Sequence, residues 1–408
     1  MAPPFDKLRA GFPPQDQIVL KIQTLNNISP LGLERLPKDR YEVGGKVANP
    51  DAVMVRSADM HKIEIPASVK AIGRAGAGTN NIPVKAMSAK GIPVFNAPGA
   101  NANAVKELVL AAMLIAARNI PASLEFVKTL AGDDKAMHEA TEAGKKNFVG
   151  FELPGRTLGV IGLGAIGVKV ANAALELGMT VYGFDPAMTV QNAWQLNSGV
   201  KQAVSVDDLI ARSQFISVHV PLLDATRGLI NAARIATMKK PGVVLNFARA
   251  EIVDEKAVVA ALAAGALHAY ACDFPSNMLM NNPKVIATPH LGASTGEAED
   301  NCAVMVAEQL KQFLEEGNVT NSVNFPEAVL HKGENDHRLC IANANVPNMV
   351  GQITTALAKH KLNIADLLNK SRGEIAYTLV DVDTPIPEAA VKEIAAIQGV
   401  LSVRHLPA

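Results

Sequence analysis

Leu158-Gly-Val-Ile-Gly162-Leu-Gly164-Ala-Ile-Gly167 decides the fold. The stretch is G-x-G-x-x-G set between a strand-like run, Thr157–Gly162, and a helical pattern, Gly167–Leu177, closed by Gly178. Each glycine has a physical task. Gly162 permits the tight turn, Gly164 lets the backbone approach a pyrophosphate, and Gly167 lets helix and strand pack closely. Free N–H groups and the dipole at the helix N-terminus hold the phosphates. The next strand-like run, Thr180–Phe184, leads straight into Asp185. A carboxylate there accepts bonds from an adenosine ribose and repels a 2′-phosphate, so NAD is expected over NADP. Pro186, Ala187 and Met188 follow, with no cation to welcome that phosphate.

Outward from this turn the chain alternates short apolar runs with helical patterns. Phe215–Val220, Gly242–Phe247, Leu267–Cys272 and Val285–Thr288 continue the strand series after a loop over Gly132–Gly155. With the two strands beside the glycines they give the doubly wound sheet of a Rossmann-type domain. Upstream, Ile18–Leu25, Ala52–Ser57, Val69–Arg74 and Ile92–Asn96 read as strands of another parallel sheet. A long helical pattern follows from Asn101 to Arg118. The tail reads β-α-β-β-α-β over His337–Asn343, Gln352–His360, Asn363–Asn369, Ile375–Val382, Glu388–Ala396 and Val400–His405, the ferredoxin-like order. The expected fold is α/β. A Rossmann-type NAD domain (101–290) is inserted in a flavodoxin-like substrate domain (17–100 and 291–325), and a ferredoxin-like domain (335–408) follows. Residues 1–16, rich in Pro and without an apolar core segment, are expected to form a poorly ordered extension rather than a signal peptide.

Composition agrees and excludes rivals. A chain of 408 residues exceeds one ordinary domain. Lys+Arg and Asp+Glu are 39 each, so binding of nucleic acid through bulk charge is not expected. Aromatics are 4%, too few for base-stacking platforms. No apolar run reaches the length of a bilayer span. Cys272, Cys302 and Cys340 are too scattered for a disulfide framework or a zinc site, which points to reduced core cysteines in a cytoplasmic protein and to no metal.

Polar groups recur at the strand ends. Asn246-Phe247-Ala248-Arg249 ends one strand, Asp273 the next, and Thr288-Pro-His290-Leu-Gly292-Ala293-Ser-Thr295 the last. Oxidising a secondary alcohol needs a hydride acceptor, a base for the hydroxyl proton and a cation steadying the oxygen. An Arg clamps a carboxylate by two parallel bonds, and a His moves a proton near neutral pH. His219, in Val218-His-Val220-Pro221, also lies at a strand end and reads as structural or cofactor-lining. The other seven histidines read as surface or core.

These segments together resemble the D-isomer-specific 2-hydroxyacid dehydrogenases. Val55-Arg56-Ser57, Gly73–Ile82 and Asn96–Asn103 with Glu107 resemble that family's substrate loops. The tail from Ile341 to Asp366 resembles an ACT domain. The resemblance implies that His290 is the acid/base and that Arg249 binds the carboxylate and keto group. It implies that Ala165, Ile166, His219, Val220, Pro221, Phe247, Ala248, Asp273, Gly292 and Ala293 line the NAD site with the glycines and Asp185. Gly76, Ala77, Gly78 and Thr79 would offer N–H groups to a carboxylate, Arg56 and Ser57 would hold a phosphate, and Asn103 would add a substrate contact. Lys106, one helical turn after Asn103, reads equally as added charge at the phosphate site or as a solvated helix residue. A small 3-phosphoglycerate-type substrate, a homodimer or homotetramer, and an L-serine effector at Asn345 and Asn363 are also implied. Lys145 and Lys146 fall where family dimers reach into the partner's site, although a solvated charge pair explains them as well.

Two departures stand out. The family pairs its His with a Glu just beyond the strand-end Asp; here Asn277 falls at that place. An Asn keeps the hydrogen bond but not the charge, which predicts a weaker enzyme or one rescued by Glu251 or Asp254. The second is Pro347-Asn348 in the tail's first loop, where relatives often carry Gly. Asn tolerates left-handed geometry, so a turn is still expected. Two other readings stay open: a hydroxypyruvate or glyoxylate reductase, and a catalytically impaired regulatory protein that binds NAD and an amino acid.

Overall fold

The computed structural model describes residues 19–333 and 336–408. The extension expected over residues 1–16 lies outside them. The chain forms two compact units, Gly99–Glu299 and the remainder, which ends at Pro98 and resumes at Asp300.

The remainder opens with a parallel sheet of β1 (Leu20–Leu25), β2 (Tyr41–Gly44), β3 (Ala52–Val55), β4 (Ala71–Arg74) and β5 (Val94–Phe95) in the order β2-β1-β3-β4-β5. That order is flavodoxin-like. All four residues of β3 are buried, as a strand covered on both faces requires. The sequence reading missed β2 because only Tyr41 is buried there and no apolar run marks it.

The unit Gly99–Glu299 is built on β6 (Thr157–Ile161), β7 (Thr180–Phe184), β8 (Lys201–Gln202), β9 (Phe215–Val218), β10 (Gly242–Asn246), β11 (Leu267–Cys272) and β12 (Val285–Ala287). Their order, β12-β11-β10-β9-β6-β7-β8, reverses between β6 and β9. In open α/β sheets ligands bind outside the carboxyl ends of the strands at that reversal. Alternate residues enter two apolar clusters: Val160, Phe215 and Leu245 in one, Ile161, Ile216 and Val244 in the other. Helix Ala102–Ala117 buries eight residues, among them Val105, Val109 and Met113 in the first cluster. The sequence reading missed β8, an exposed Lys-Gln pair at the sheet edge. It also took Gly132–Gly155 for a loop, but helix Asp134–Gly144 lies there. Asp133 starts that helix by accepting from the Ala136 N–H at 2.9 Å.

The tail is an antiparallel sheet of β13 (His337–Ala344), β14 (Ile364–Arg372), β15 (Ile375–Val382) and β16 (Val400–Leu406) in the order β14-β15-β13-β16. Residues of helices Met349–Lys359 and Glu388–Ala395, such as Ile353, Leu357 and Ile394, share one apolar cluster with Leu339, Ile341 and Val380 of the sheet. Asn348 takes the expected left-handed turn at φ +67°. The tail packs into the same compact unit as the first sheet. Arg338, fully buried, donates from Nε and Nη2 to the two oxygens of Asp381, each at 2.6 Å. Its Nη1 donates to the carbonyls of Glu316 at 2.7 Å and Leu330 at 2.9 Å. Tyr377 donates to the Gly317 carbonyl at 2.8 Å, and Arg404 to that of Phe313 at 2.7 Å. The carbonyls of Phe313, Glu316 and Gly317 close helix Gly296–Glu316.

Among the described residues no single helix is long and apolar enough to cross a membrane. The pair Ala102–Ala117 and Ile120–Lys128 passes only jointly and is bent by 64°. The three cysteines are buried, and no disulfide joins any of them among the described residues.

Candidate active site

Gly162 has φ +91°, and a Cβ there would come within 2.6 Å of the His219 carbonyl oxygen. A Cβ on Gly167 would overlap the Gly162 carbonyl oxygen, so helix and turn approach closely only with glycine. Gly164 faces open space: nothing lies within 4 Å of its Cβ position. It caps helix Ala165–Glu176, in which the Val168 N–H is the first to bond, at 3.0 Å to the Gly164 carbonyl. The N–H groups of Ala165, Ile166 and Gly167 thus have no acceptor among the described residues. Beside them Asp185 accepts from Leu163 N and Ala187 N, each at 2.8 Å, which fixes its carboxylate at the rim. An open cradle of unpaired donors at a helix N-terminus, next to a fixed carboxylate, fits the pyrophosphate and ribose of a dinucleotide. Pocket walls next to Asp185 include Leu163, Phe184, Met188 and Val204.

His219 lies beneath this turn. Its Nε2 is 2.8 Å from Ser217 Oγ, and burial lowers its pKa to about 4. The imidazole is therefore neutral and brings no charge to the phosphates, which favours a structural role. Val220 and Pro221 continue from it at the end of β9.

The second cluster is the turn after β12. His290 is exposed at φ +58°, its ring edge-on to Phe274 with centroids 5.4 Å apart. A left-handed residue other than Gly costs about 1–3 kcal/mol. Asp273, only 1% exposed, holds the turn. Its Oδ1 accepts from Thr288 Oγ1 at 2.6 Å and Leu291 N at 2.7 Å, and its Oδ2 from Gly292 N at 2.7 Å. Hydrogen bonds to a charged group are worth roughly 1.5–3 kcal/mol each, enough to outweigh the strain at His290. The Asp273 carboxylate is thus turned onto the His290 loop. Ala293 is exposed beyond that loop.

The third cluster follows β10. Arg249 is exposed, with Nη1 donating to the Ala248 carbonyl at 2.6 Å. Asn246, fully buried, accepts from Ala248 N at 3.2 Å and donates to the Arg249 carbonyl at 2.9 Å. Phe247 is 9% exposed and belongs to the apolar core, so packing rather than cofactor lining is its observed contact.

A match to the family described as D-isomer specific 2-hydroxyacid dehydrogenase, NAD binding domain, covers residues 110–292. A D-3-phosphoglycerate dehydrogenase of Haemophilus influenzae is 34% identical over 84% of this chain and 83% of its own length. One from Methanocaldococcus jannaschii is 37% identical over 84% of this chain. The chain belongs to the D-isomer-specific 2-hydroxyacid dehydrogenases. It spans 64% of the length of the Methanocaldococcus relative. An NAD-bound 3-phosphoglycerate dehydrogenase structure from Entamoeba histolytica matches 75% of this chain and 99% of its own, at 28% identity and TM-score 0.57.

As a member of this family the chain carries an NAD-binding domain, and its remaining candidate residues can be placed. Asn277 is exposed and makes no hydrogen bond to His290. Of the suggested substitutes, Asp254 is committed to capping helix Glu255–Ala263 through Lys256 N at 3.0 Å and Ala257 N at 3.2 Å. Glu251 is exposed in the short turn Ala250–Ile252. Asn103 donates to Glu107 at 2.8 Å, and Lys106 lies 3.5 Å from the same carboxylate. Lys145 pairs with Glu142 on its own helix, which favours the solvated-pair reading; Lys146 is exposed.

In the other unit, Arg56 and Ser57 sit just past β3. Asn26, which the sequence reading overlooked, accepts from Ser57 N at 3.1 Å and Ala58 N at 2.6 Å. Gly76 has φ +156°, and among the described residues the N–H groups of Ala77, Gly78 and Thr79 have no backbone acceptor. In the tail, Asn345 donates to the Gly373 carbonyl at 3.0 Å and Asn363 to Asp383 at 3.3 Å. Asn343, Asn345, Asn348 and Asn369 line a small cavity; Asn363 does not.

Proposed function

We propose that the chain oxidises 3-phospho-D-glycerate to 3-phosphohydroxypyruvate, the entry into L-serine synthesis, and catalyses the reverse reduction. The observation that carries this reading is the Asp273 clamp. It holds His290 in a strained turn on the same sheet as the dinucleotide cradle and Arg249. Bound NAD supplies the acceptor for the hydride leaving C2. His290 takes the C2 hydroxyl proton as C2 becomes a keto carbon, and returns it in the reverse direction. Arg249 grips the carboxylate and steadies the C2 oxygen with paired N–H donors. Ala77 and Gly78 offer further N–H groups to the carboxylate, and Arg56 and Ser57 bind the phosphate. Asn103 and Lys106 line the substrate side.

The names of the relatives from Haemophilus and Methanocaldococcus support phosphoglycerate over other 2-hydroxy acids. The ferredoxin-like tail supports an ACT-type regulatory role, with L-serine as the effector at Asn345 and Asn363. The working form in this reading is a cytoplasmic homodimer or homotetramer.

Initial rates with NADH on phosphohydroxypyruvate and on hydroxypyruvate, with and without serine, test the proposal. The phosphorylated substrate should be preferred, and His290→Ala should lower kcat by about 10²–10⁴-fold. A preference for hydroxypyruvate overturns the substrate. Absence of NADH-dependent turnover with either overturns the enzyme reading.

A further inference from the structure

Beneath the exposed Arg249 lies a buried carboxamide. Asn246 closes β10 with a carboxamide that is 0% exposed. Its Oδ1 accepts from Ala248 N at 3.2 Å and its Nδ2 donates to the Arg249 carbonyl at 2.9 Å. One side chain thus grips the peptide units on either side of the 248–249 link, the N–H of one and the carbonyl of the other, and pins the backbone between them. The same Nδ2 lies 3.4 Å from the Tyr270 hydroxyl on β11, so the neighbouring strand sets the carboxamide's own orientation. Tyr270 is 1% exposed, and burial keeps its phenol protonated. The Arg249 carbonyl further accepts from Ile252 N at 3.3 Å, which carries the constraint into the turn Ala250–Ile252. By contrast the Arg249 side chain is exposed, and among the described residues its hydrogen bond goes to the Ala248 carbonyl. Its direction is therefore set by the backbone beneath it.

We infer that Asn246, backed by Tyr270, is a positioning residue that aims the Arg249 guanidinium at the substrate carboxylate. This inference rests on the dehydrogenase reading for its kinetic consequence, but its structural part does not.

A double-mutant cycle separates positioning from mere folding. Asn246→Ala should lower kcat/KM by about 10²-fold, the scale of a displacement near 1 Å in a catalytic group. In an Arg249→Ala background the same change should cost little more, because Asn246 acts through Arg249. Fully additive losses would overturn the inference. Amide hydrogen exchange gives a readout independent of activity. Ala248 N–H should exchange faster in Asn246→Ala but stay protected in Asn246→Asp, which keeps the acceptor and loses the donor. Unchanged exchange in Asn246→Ala would also overturn the inference. Faster exchange in a protein that turns over neither substrate would support Asn246 as the loop's anchor and reject the enzyme reading.

Discussion

The parallel sheet of unit Gly99–Glu299 and the antiparallel sheet of the tail both bury polar side chains, but to opposite ends. Asn246 and Asp273 lie at the carboxyl ends of β10 and β11, and their side chains hold loops that carry candidate catalytic residues. Arg338 and Asp381 face each other across β13 and β15, and their bonds hold one piece of scaffold to another. A buried polar group is expensive unless satisfied. In one sheet that expense secures geometry for chemistry; in the other it secures attachment.

Substitutions can break this contrast. The largest effect belongs to Asp381→Asn, which leaves Arg338 buried beside a neutral partner. Loss of about 3–5 kcal/mol of stability is expected in denaturant unfolding, with kcat of the folded protein unchanged. A fall in kcat at native stability would place the pair in the chemistry instead. Asp273→Asn should behave the other way. It turns an NH₂ group toward the N–H of Leu291 or Gly292 and frees His290 from its strained turn. Its kcat should fall by about 10²-fold, with a loss of Tm smaller than that of Asp381→Asn because release of the strained turn offsets part of the lost bonding.

His219 sharpens the contrast through pH. Its folded pKa of about 4 lies below the ordinary 6.5, so between those values the unfolded chain binds a proton that the folded one refuses. Stability contributed by the neutral imidazole is present above pH 6.5 and is lost as pH falls toward 4. The slope is about 1.4 kcal/mol per pH unit for one such group. His219→Asn should flatten the slope in acid unfolding curves; an equally steep curve would show that other groups set it. The smallest effect is Asn277→Glu. A restored carboxylate near His290 should move the basic limb of the rate profile to higher pH. An unmoved profile would mean that Asn277 does not occupy the family's Glu position.

The two regions also differ in how far the sequence reveals them. The dinucleotide turn was legible because its signature is local: Gly162, Gly164 and Gly167 lie together between a strand and the helix it feeds. Strand ends rich in polar residues likewise pointed to Arg249 and His290. What Asp273 does was not legible, since its partners lie 15, 18 and 19 residues away and only folding shows the carboxylate turning inward. Asn26 and Tyr270 escaped notice for the same reason, each acting on a loop from another strand. The polar edge strands β2 and β8 carried no apolar pattern to read. Arg338 meets Asp381 across 43 residues of chain, and nothing in the composition of either strand announces the pair.

The grip of the tail on helix Gly296–Glu316 bears on how such chains diversify. Helix C-termini expose carbonyls that need partners. Here Phe313, Glu316 and Gly317 find theirs on Arg404, Arg338 and Tyr377. The tail is therefore part of the helix's ending and not a bead threaded after it. A gene fusion that exchanged this tail for another ferredoxin-like domain would have to supply equivalent donors at three strand positions. Loss of the tail would have to be followed by changes at residues 313–317. Once those carbonyls depend on the tail, the tail is costly to discard.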